Sequence, residues 1–526
     1  MLNIESQPGD YDLLYGALRG ASRAYGQKEF GAHIAIGAYA GPRAADPLWL
    51  KRWQVSLYFS YISGSAFIYP ESGHMGSTPD KLECRRILRE FYQFANIHAR
   101  PAVGPKVRIG FVYGHLDGFP GLWNKRVWGQ AGKKWLHGPA EWGWDYIKNV
   151  HRKEEWFNPY VVGGQDFSGH LPGGLYDVVP IEAPSKLLNR YPCLIFLGWN
   201  TMTEEIYGKL KDYVAGGGHL LMSVPHLSTH LDRAADLKLF RGGDFSDLFG
   251  VKITGKGETI VTGVKSVNDC SIPSYTIRNW AHVGDPCFIG NMTPARVKLA
   301  GAQVLVGAQA RHVLPKEEVA KRPLLVEHSL GKGKAFLITT WEYPGAKGME
   351  EFVNAILMAV YAGEQTRSNR HLERHVRVAG SDRVRHAVYS EKGVTTVYLL
   401  NTDLDSPHPV NLHVGDTCLP AIEVPATDIR IVHIAHGLVL IPEQKFTDIK
   451  AWTCKGNGHR IDYTSLNRQK ALIVNLEGRT QRVQIGGRTV SCPSGRSVTA
   501  ALPRQVDEKR KEFFAKGFLD EPPVKM

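Results

Sequence analysis

Hydrophobic periodicity changes once along this 526-residue chain, near residue 370. Before that point short apolar runs alternate with helical patterns. After it the helical period disappears, and short alternating segments separated by Gly, Asn and Asp turns take over. Alternation of strand and helix is the grammar of parallel α/β structure. A run of short alternating segments spells an antiparallel sandwich. The chain is also too long for one ordinary domain, and length alone suggests roughly three or four. With 43% hydrophobic and 10% aromatic residues, it has the apolar material for several cores.

Three stretches follow. Residues 1–104 read as strand–helix units. GDYDLLYGALRGASRAYG, PLWLKRWQVSLYFSYISG and LECRRILREFYQFANIH have helical spacing, and FGAHIAIGAYAGP and SAFIYPESG are buried strands that end in loops. Residues 105–366 repeat the grammar as an open, doubly wound sheet. VRIGFVYG, YDVVPIEAP, PCLIFLGWN and HLLMSVPH are its strands, and a β-rich insertion is expected over about 255–330. Residues 367–505 form the sandwich, and 506–526 a charged tail.

The net charge of +13 suits an acidic polymer, including an acidic glycan, as well as a nucleic acid. No helix-turn-helix, zinc-finger or RNA-recognition signature accompanies it, so nucleic acid is not the expected partner. The seven cysteines are widely spaced without a CxxC, which argues against a disulfide framework or a zinc site. His226 with His230, and His371 with His375, have i, i+4 spacing but lack a patterned third ligand, so no metal and no cofactor are expected. MLNIESQPGD carries acids and no apolar core, unlike a signal peptide, and FVNAILMAVYAG is too short to span a bilayer. A cytoplasmic location is the default expectation, and an earlier start would change it.

The middle stretch carries a family resemblance. YPCLIFLGWNTMTEEIYGKLKDYVAGGGHLLMS, DLFGVKITG and LLVEHSLGKGKAFLITTWE resemble the trimerisation domain of β-galactosidases in the glycoside hydrolase superfamily. That domain is similar to class I glutamine amidotransferases. The N-terminal stretch resembles the last strands and helices of a (β/α)8 barrel. The resemblance implies a partial barrel, a flavodoxin- or amidotransferase-like open sheet, and a C-terminal sandwich. It further implies a homo-oligomer acting on carbohydrate. An amidotransferase carries a cysteine on the sharp turn after a strand. Here that turn, after CLIFLG, reads Trp199-Asn200, and Cys193 lies at the strand's beginning.

Barrel enzymes place their chemistry on loops after the strands. Glu71 in IYPESG occupies such a position, and Glu5 in LNIESQP is its best partner. Glycosidases need two carboxyls, one as acid and one as nucleophile or base. Sugar-binding clefts combine flat aromatics with polar groups. Tyr39, Tyr69, His33 and His74 near the strand ends, and Trp123 and Trp128 in the loop GLWNKRVWGQAGKKW, are therefore candidate substrate contacts. The expected protein hydrolyses glycosidic bonds, or descends from enzymes that do. The alternative is a truncated, non-catalytic homologue that serves assembly or glycan binding, because about 100 residues hold about three strand–helix units where a full barrel has eight.

Overall fold

The computed structural model describes residues 2–6, 11–26, 29–34, 49–70, 82–118, 138–147, 174–268, 291–309, 314–366 and 376–506, apart from single positions at 99, 103, 145, 234 and 262. The N-terminal layer is a parallel sheet of β1 (Leu2–Ser6), β2 (Phe30–Ile34) and β3 (Phe67–Pro70), in that order. Helices α1 (Tyr11–Ala24), α2 (Trp49–Ile62) and α3 (Leu82–Ile97) alternate with them. Period-two alternation divides the strands. Phe30, Ala32 and Ile34 are buried and share a core with Tyr15 of α1, Trp53 and Tyr58 of α2, and Phe94 of α3. The helices thus cover one face of the sheet.

The middle sheet has eight strands. Among the described residues β4 (Ile109–Tyr113), β5 (Tyr176–Pro180), β6 (Cys193–Phe196) and β7 (His219–Ser223) are parallel, β8 (Gly263–Ser266), β9 (Gln303–Gln309) and β10 (Pro323–Leu330) are antiparallel, and β11 (Gly333–Ile338), in a hairpin with β10, runs parallel to β7. The spatial order is β8-β9-β10-β11-β7-β6-β4-β5. The parallel strands run 2-1-3-4-5 in order of appearance, the flavodoxin-like arrangement. The β-rich stretch after residue 255 therefore supplies the edge of this sheet. Helix α4 (Glu204–Ala215) starts where sequence logic puts it, with the Thr203 hydroxyl accepting from the Ile206 N–H as an N-cap.

The C-terminal stretch is all β. A six-stranded antiparallel sheet, beginning with β12 (Val384–Glu391) and β13 (Val394–Asn401), shares one core with the sheet containing Val376–Gly380 and His408–Val414. It shares another with the sheet that contains Thr447–Lys455 and Gly458–Ser465. One pair departs from the antiparallel expectation: Gly458–Ser465 runs parallel to Gln481–Ile485.

Helix α1 joins these layers. Arg19 and Arg23, one turn apart, reach the buried Asp177 of β5. Arg19 Nε lies 2.7 Å from Oδ1, and Arg23 pairs with Oδ2. The Tyr191 hydroxyl donates to the same carboxylate at 2.7 Å. Burial pushes the Asp177 carboxyl up, but Arg23, Arg19 and Tyr191 outweigh it and hold it below the ordinary carboxylate range. Arg19 also donates to the Tyr176 carbonyl at 2.6 Å. Because β5 is an edge strand, the helix both covers that edge and satisfies part of it. On the other side, Arg385 of β12 bonds Asp12 of α1 at 3.0 Å, and Tyr389 and Tyr398 enter the N-terminal core.

The close approach of α1 depends on Gly16 and Gly20. A Cβ on Gly20 would lie 1.8 Å from the Val178 carbonyl oxygen, and one on Gly16 2.9 Å from that of Tyr176. Gly208 in α4 has open space around it. Glycine to alanine in a helix ordinarily stabilises by about 0.5–1 kcal/mol. Gly208→Ala should do so, whereas Gly20→Ala should destabilise by about 1–3 kcal/mol as an overpacking change. Thermal or urea unfolding of the two variants checks the opposite signs, and two shifts of the same sign would contradict this packing.

Candidate active site

The N-terminal sheet sets three candidate residues in one row. In the parallel ladder Glu5 of β1 is registered with His33 of β2, and His33 with Tyr69 of β3. His33 and Tyr69 alternate with the buried Ala32 and Ile34, so they lie on the face away from the helices. Their rings are 5.2 Å apart, tilted at 52°. Tyr69 is 56% exposed, which leaves much of its ring open to a ligand. One row earlier, the Phe67 ring lies across Gly31, where a Cβ would meet it at 2.1 Å. The row sits near the carboxyl ends of the strands, the end at which parallel α/β folds carry their sites.

Glu71 follows Pro70, the last residue of β3. It lies outside the described residues, as do Tyr39, His74, Trp123 and Trp128, and His371 and His375. Trp53, Tyr58 and Tyr61 of α2 are buried core residues, as their helical spacing implies. Among the described residues no group of three potential metal ligands converges.

The middle sheet offers a second location, the switch point where β5 and β6 leave opposite sides of β4. There the turn after β6 is sealed. The side chain of Asn200, fully buried, accepts from the His115 N–H at 3.0 Å and donates to the His226 carbonyl at 2.7 Å. Trp199 stacks on Tyr343 at 5.8 Å and lies under the Arg233 guanidinium at 4.7 Å. Arg233 pairs with Glu141 and lies 3.5 Å from Asp117, which also accepts from Trp144 Nε1 at 3.1 Å. Both acids are thus committed to structural partners.

No described cysteine stands at this turn, and the Thr201 hydroxyl there is engaged with Trp199 Nε1 at 3.1 Å and the His230 carbonyl at 3.2 Å. Cys193 is buried at the far, amino-terminal end of β6. His226 Nδ1 accepts from the Ser223 N–H at 2.9 Å, and burial pushes the imidazole down to about 3, against the opposing pull of the Gly198 and Leu197 backbone. Such a histidine is a weak base near neutral pH. The Trp199-Asn200 turn is thus held by packing and hydrogen bonds on both sides. Sequence reading missed the Asp117–Arg233–Glu141 cluster. Asp117 sits just past the carboxyl end of a strand, which is a usable signal, but nothing local to Arg233 announces its partners.

Comparisons with known proteins find no matching family model and no matching curated protein. Solved structures do match. Gan42B, a GH42 β-galactosidase from G. stearothermophilus, is 13% identical, with a TM-score of 0.48 over 82% of this chain and 59% of that one. A polyextremophilic β-galactosidase from Halorubrum lacusprofundi is 16% identical, with a TM-score of 0.45 over 82% and 56%. A rhamnosidase from Novosphingobium is 9% identical, with a TM-score of 0.37 over 96% and 47%. The chain spans about half the length of these structures.

The turn after β6 can be tested directly. Asn200→Ala would leave the half-buried His115 N–H and the buried His226 carbonyl without this partner, the buried group worth about 1–3 kcal/mol. Urea unfolding should show a loss of about 2 kcal/mol or more. An unchanged midpoint would contradict a structural role for this side chain.

Proposed function

We propose that this protein is carbohydrate-active and of the glycoside hydrolase kind. In this reading the three-stranded layer is part of a (β/α)8 barrel, the eight-stranded sheet is scaffold, and the C-terminal sheets form a β-sandwich. The observation that carries it is the row Glu5–His33–Tyr69 near the carboxyl ends of three parallel strands. An acid, an imidazole and an exposed aromatic in one row supply what a sugar ring needs: hydrogen bonds to its hydroxyls and a flat face for its C–H groups.

Glu71, immediately beyond β3, provides the second carboxyl. Glu71 and Glu5 divide the roles of nucleophile or base and general acid. Tyr39, Tyr69, His33, His74, Trp123 and Trp128 contact the sugar. The excess of positive charge suits an acidic glycan, and the protein works as a homo-oligomer. No residue of the row needs a metal or cofactor for this chemistry.

A second reading has its own observation. Among the described strand residues of this sheet Glu5 is the one carboxylate. Hydrolysis takes two, so a glycan-binding or assembly role without hydrolysis fits those strands alone.

Both readings are open to one experiment, hydrolysis of a panel of aryl glycosides by the full chain and by Glu71→Gln and Glu5→Gln. The hydrolase reading expects each variant to lose about 10²–10⁴-fold in kcat while retaining substrate binding. Activity that survives Glu71→Gln removes that residue from the chemistry. Saturable glycan binding without turnover in the unaltered chain favours the second reading.

A further inference from the structure

A cavity of about 410 Å³ lies at the end of the N-terminal sheet opposite the Glu5–His33–Tyr69 row. Phe30 and Ala66 mark that end, Phe30 opening β2 and Ala66 preceding β3. Three arginines, Arg19, Arg23 and Arg100, line the cavity. It sits where α1, the end of α3 and the C-terminal strand β12 meet, and ligand pockets favour such junctions.

Among the described residues the charges around the cavity do not balance. Asp177, fully buried, answers Arg19 and Arg23 together. Arg100 faces no carboxylate among the described residues. Its guanidinium donates to the Tyr61 and Ser65 carbonyls, the latter at 2.6 Å, and rests 3.7 Å over the Tyr61 ring. Asp448, behind the cavity wall, is taken by His98 at 3.4 Å and Lys450 at 2.9 Å. Glu29 sits exposed at the rim. Among the described residues three guanidiniums thus meet one buried carboxylate and one solvated one, an excess of positive charge in a partly desolvated space.

We infer that this cavity is a binding site for a monosaccharide-sized organic anion carrying a carboxylate or phosphate. The guanidinium fork matches both oxyanions. A volume of this size exceeds what a bare oxyanion fills and falls within the range of about 300–1,000 Å³ typical of small-molecule sites. Phe30 and Tyr389 supply apolar wall for the body of the ligand, the Tyr389 hydroxyl being engaged with the Ile62 carbonyl at 2.9 Å. The site is separate from the proposed catalytic row and does not depend on hydrolytic activity.

Calorimetric titration of the full chain with D-glucuronate, glucose 6-phosphate, inorganic phosphate and glucose tests the assignment. The two sugar anions should bind, glucose should not, and binding should weaken as salt rises. Arg100→Gln should weaken the sugar anions by about tenfold or more. Glu29→Gln, at an exposed position that leaves the fold intact, should tighten them about two- to fivefold. Failure of both sugar anions to bind at millimolar concentration overturns the site. So does binding of inorganic phosphate alone, or affinities unchanged in Glu29→Gln and in a folded Arg100→Gln.

Discussion

The carboxylate of Asp177 is the point at which the layers of this molecule meet. It is fully buried on an edge strand and takes two guanidiniums from α1 and a phenol from the loop after β5. Taking a carboxylate out of water costs several kcal/mol unless such partners surround it. The pairing works only because α1 lies against the strand backbone, and that approach requires glycine at positions 16 and 20. Helix, edge strand and charge cluster are therefore one structural unit. The N-terminal sheet takes its position from it, since α1 also packs on that sheet's covered face.

The N-terminal and middle sheets differ at the carboxyl-terminal ends of their parallel strands. The carboxyl-terminal crevice of the middle sheet, where open α/β folds commonly bind ligands, is filled by Trp199, Tyr343 and the Asp117–Arg233–Glu141 cluster. Its histidine is held neutral by burial. The N-terminal sheet instead leaves one row open, with Tyr69 exposed beside His33. The filled crevice and the open row thus occupy different layers, and the arginine-lined cavity lies between the N-terminal layer and its neighbours.

Much of the secondary structure was legible in local patterns. FGAHI, FIYP, CLIF and HLLMS are apolar runs bounded by turns, and each is a strand. Thr203 ahead of EEIYGKLKDYVA announces a helix start, and it caps one. Glu5, His33 and Tyr69 were each recognisable as strand-end residues, but their common row is a matter of register, which local sequence does not encode when strands are separated by helices. The Arg19–Asp177 contact spans 158 residues. GALRG in α1 reads as a weak helix segment until β5 is placed beside it, and only then do its glycines become a packing surface. The parallel pairing of Gly458–Ser465 with Gln481–Ile485 was hidden for the same reason, because short alternating strands look alike in either direction.

The most direct measurement is native-state hydrogen exchange on Asp177→Asn compared with the unaltered chain. Loss of the buried negative charge leaves two guanidiniums poorly paired, so the account predicts that amides of α1 and the N-terminal sheet lose protection well before those of the C-terminal strands. Protection in α1 equal to that of the unaltered chain, or a uniform loss throughout the molecule, would contradict the claim that this carboxylate fastens the N-terminal layer in place.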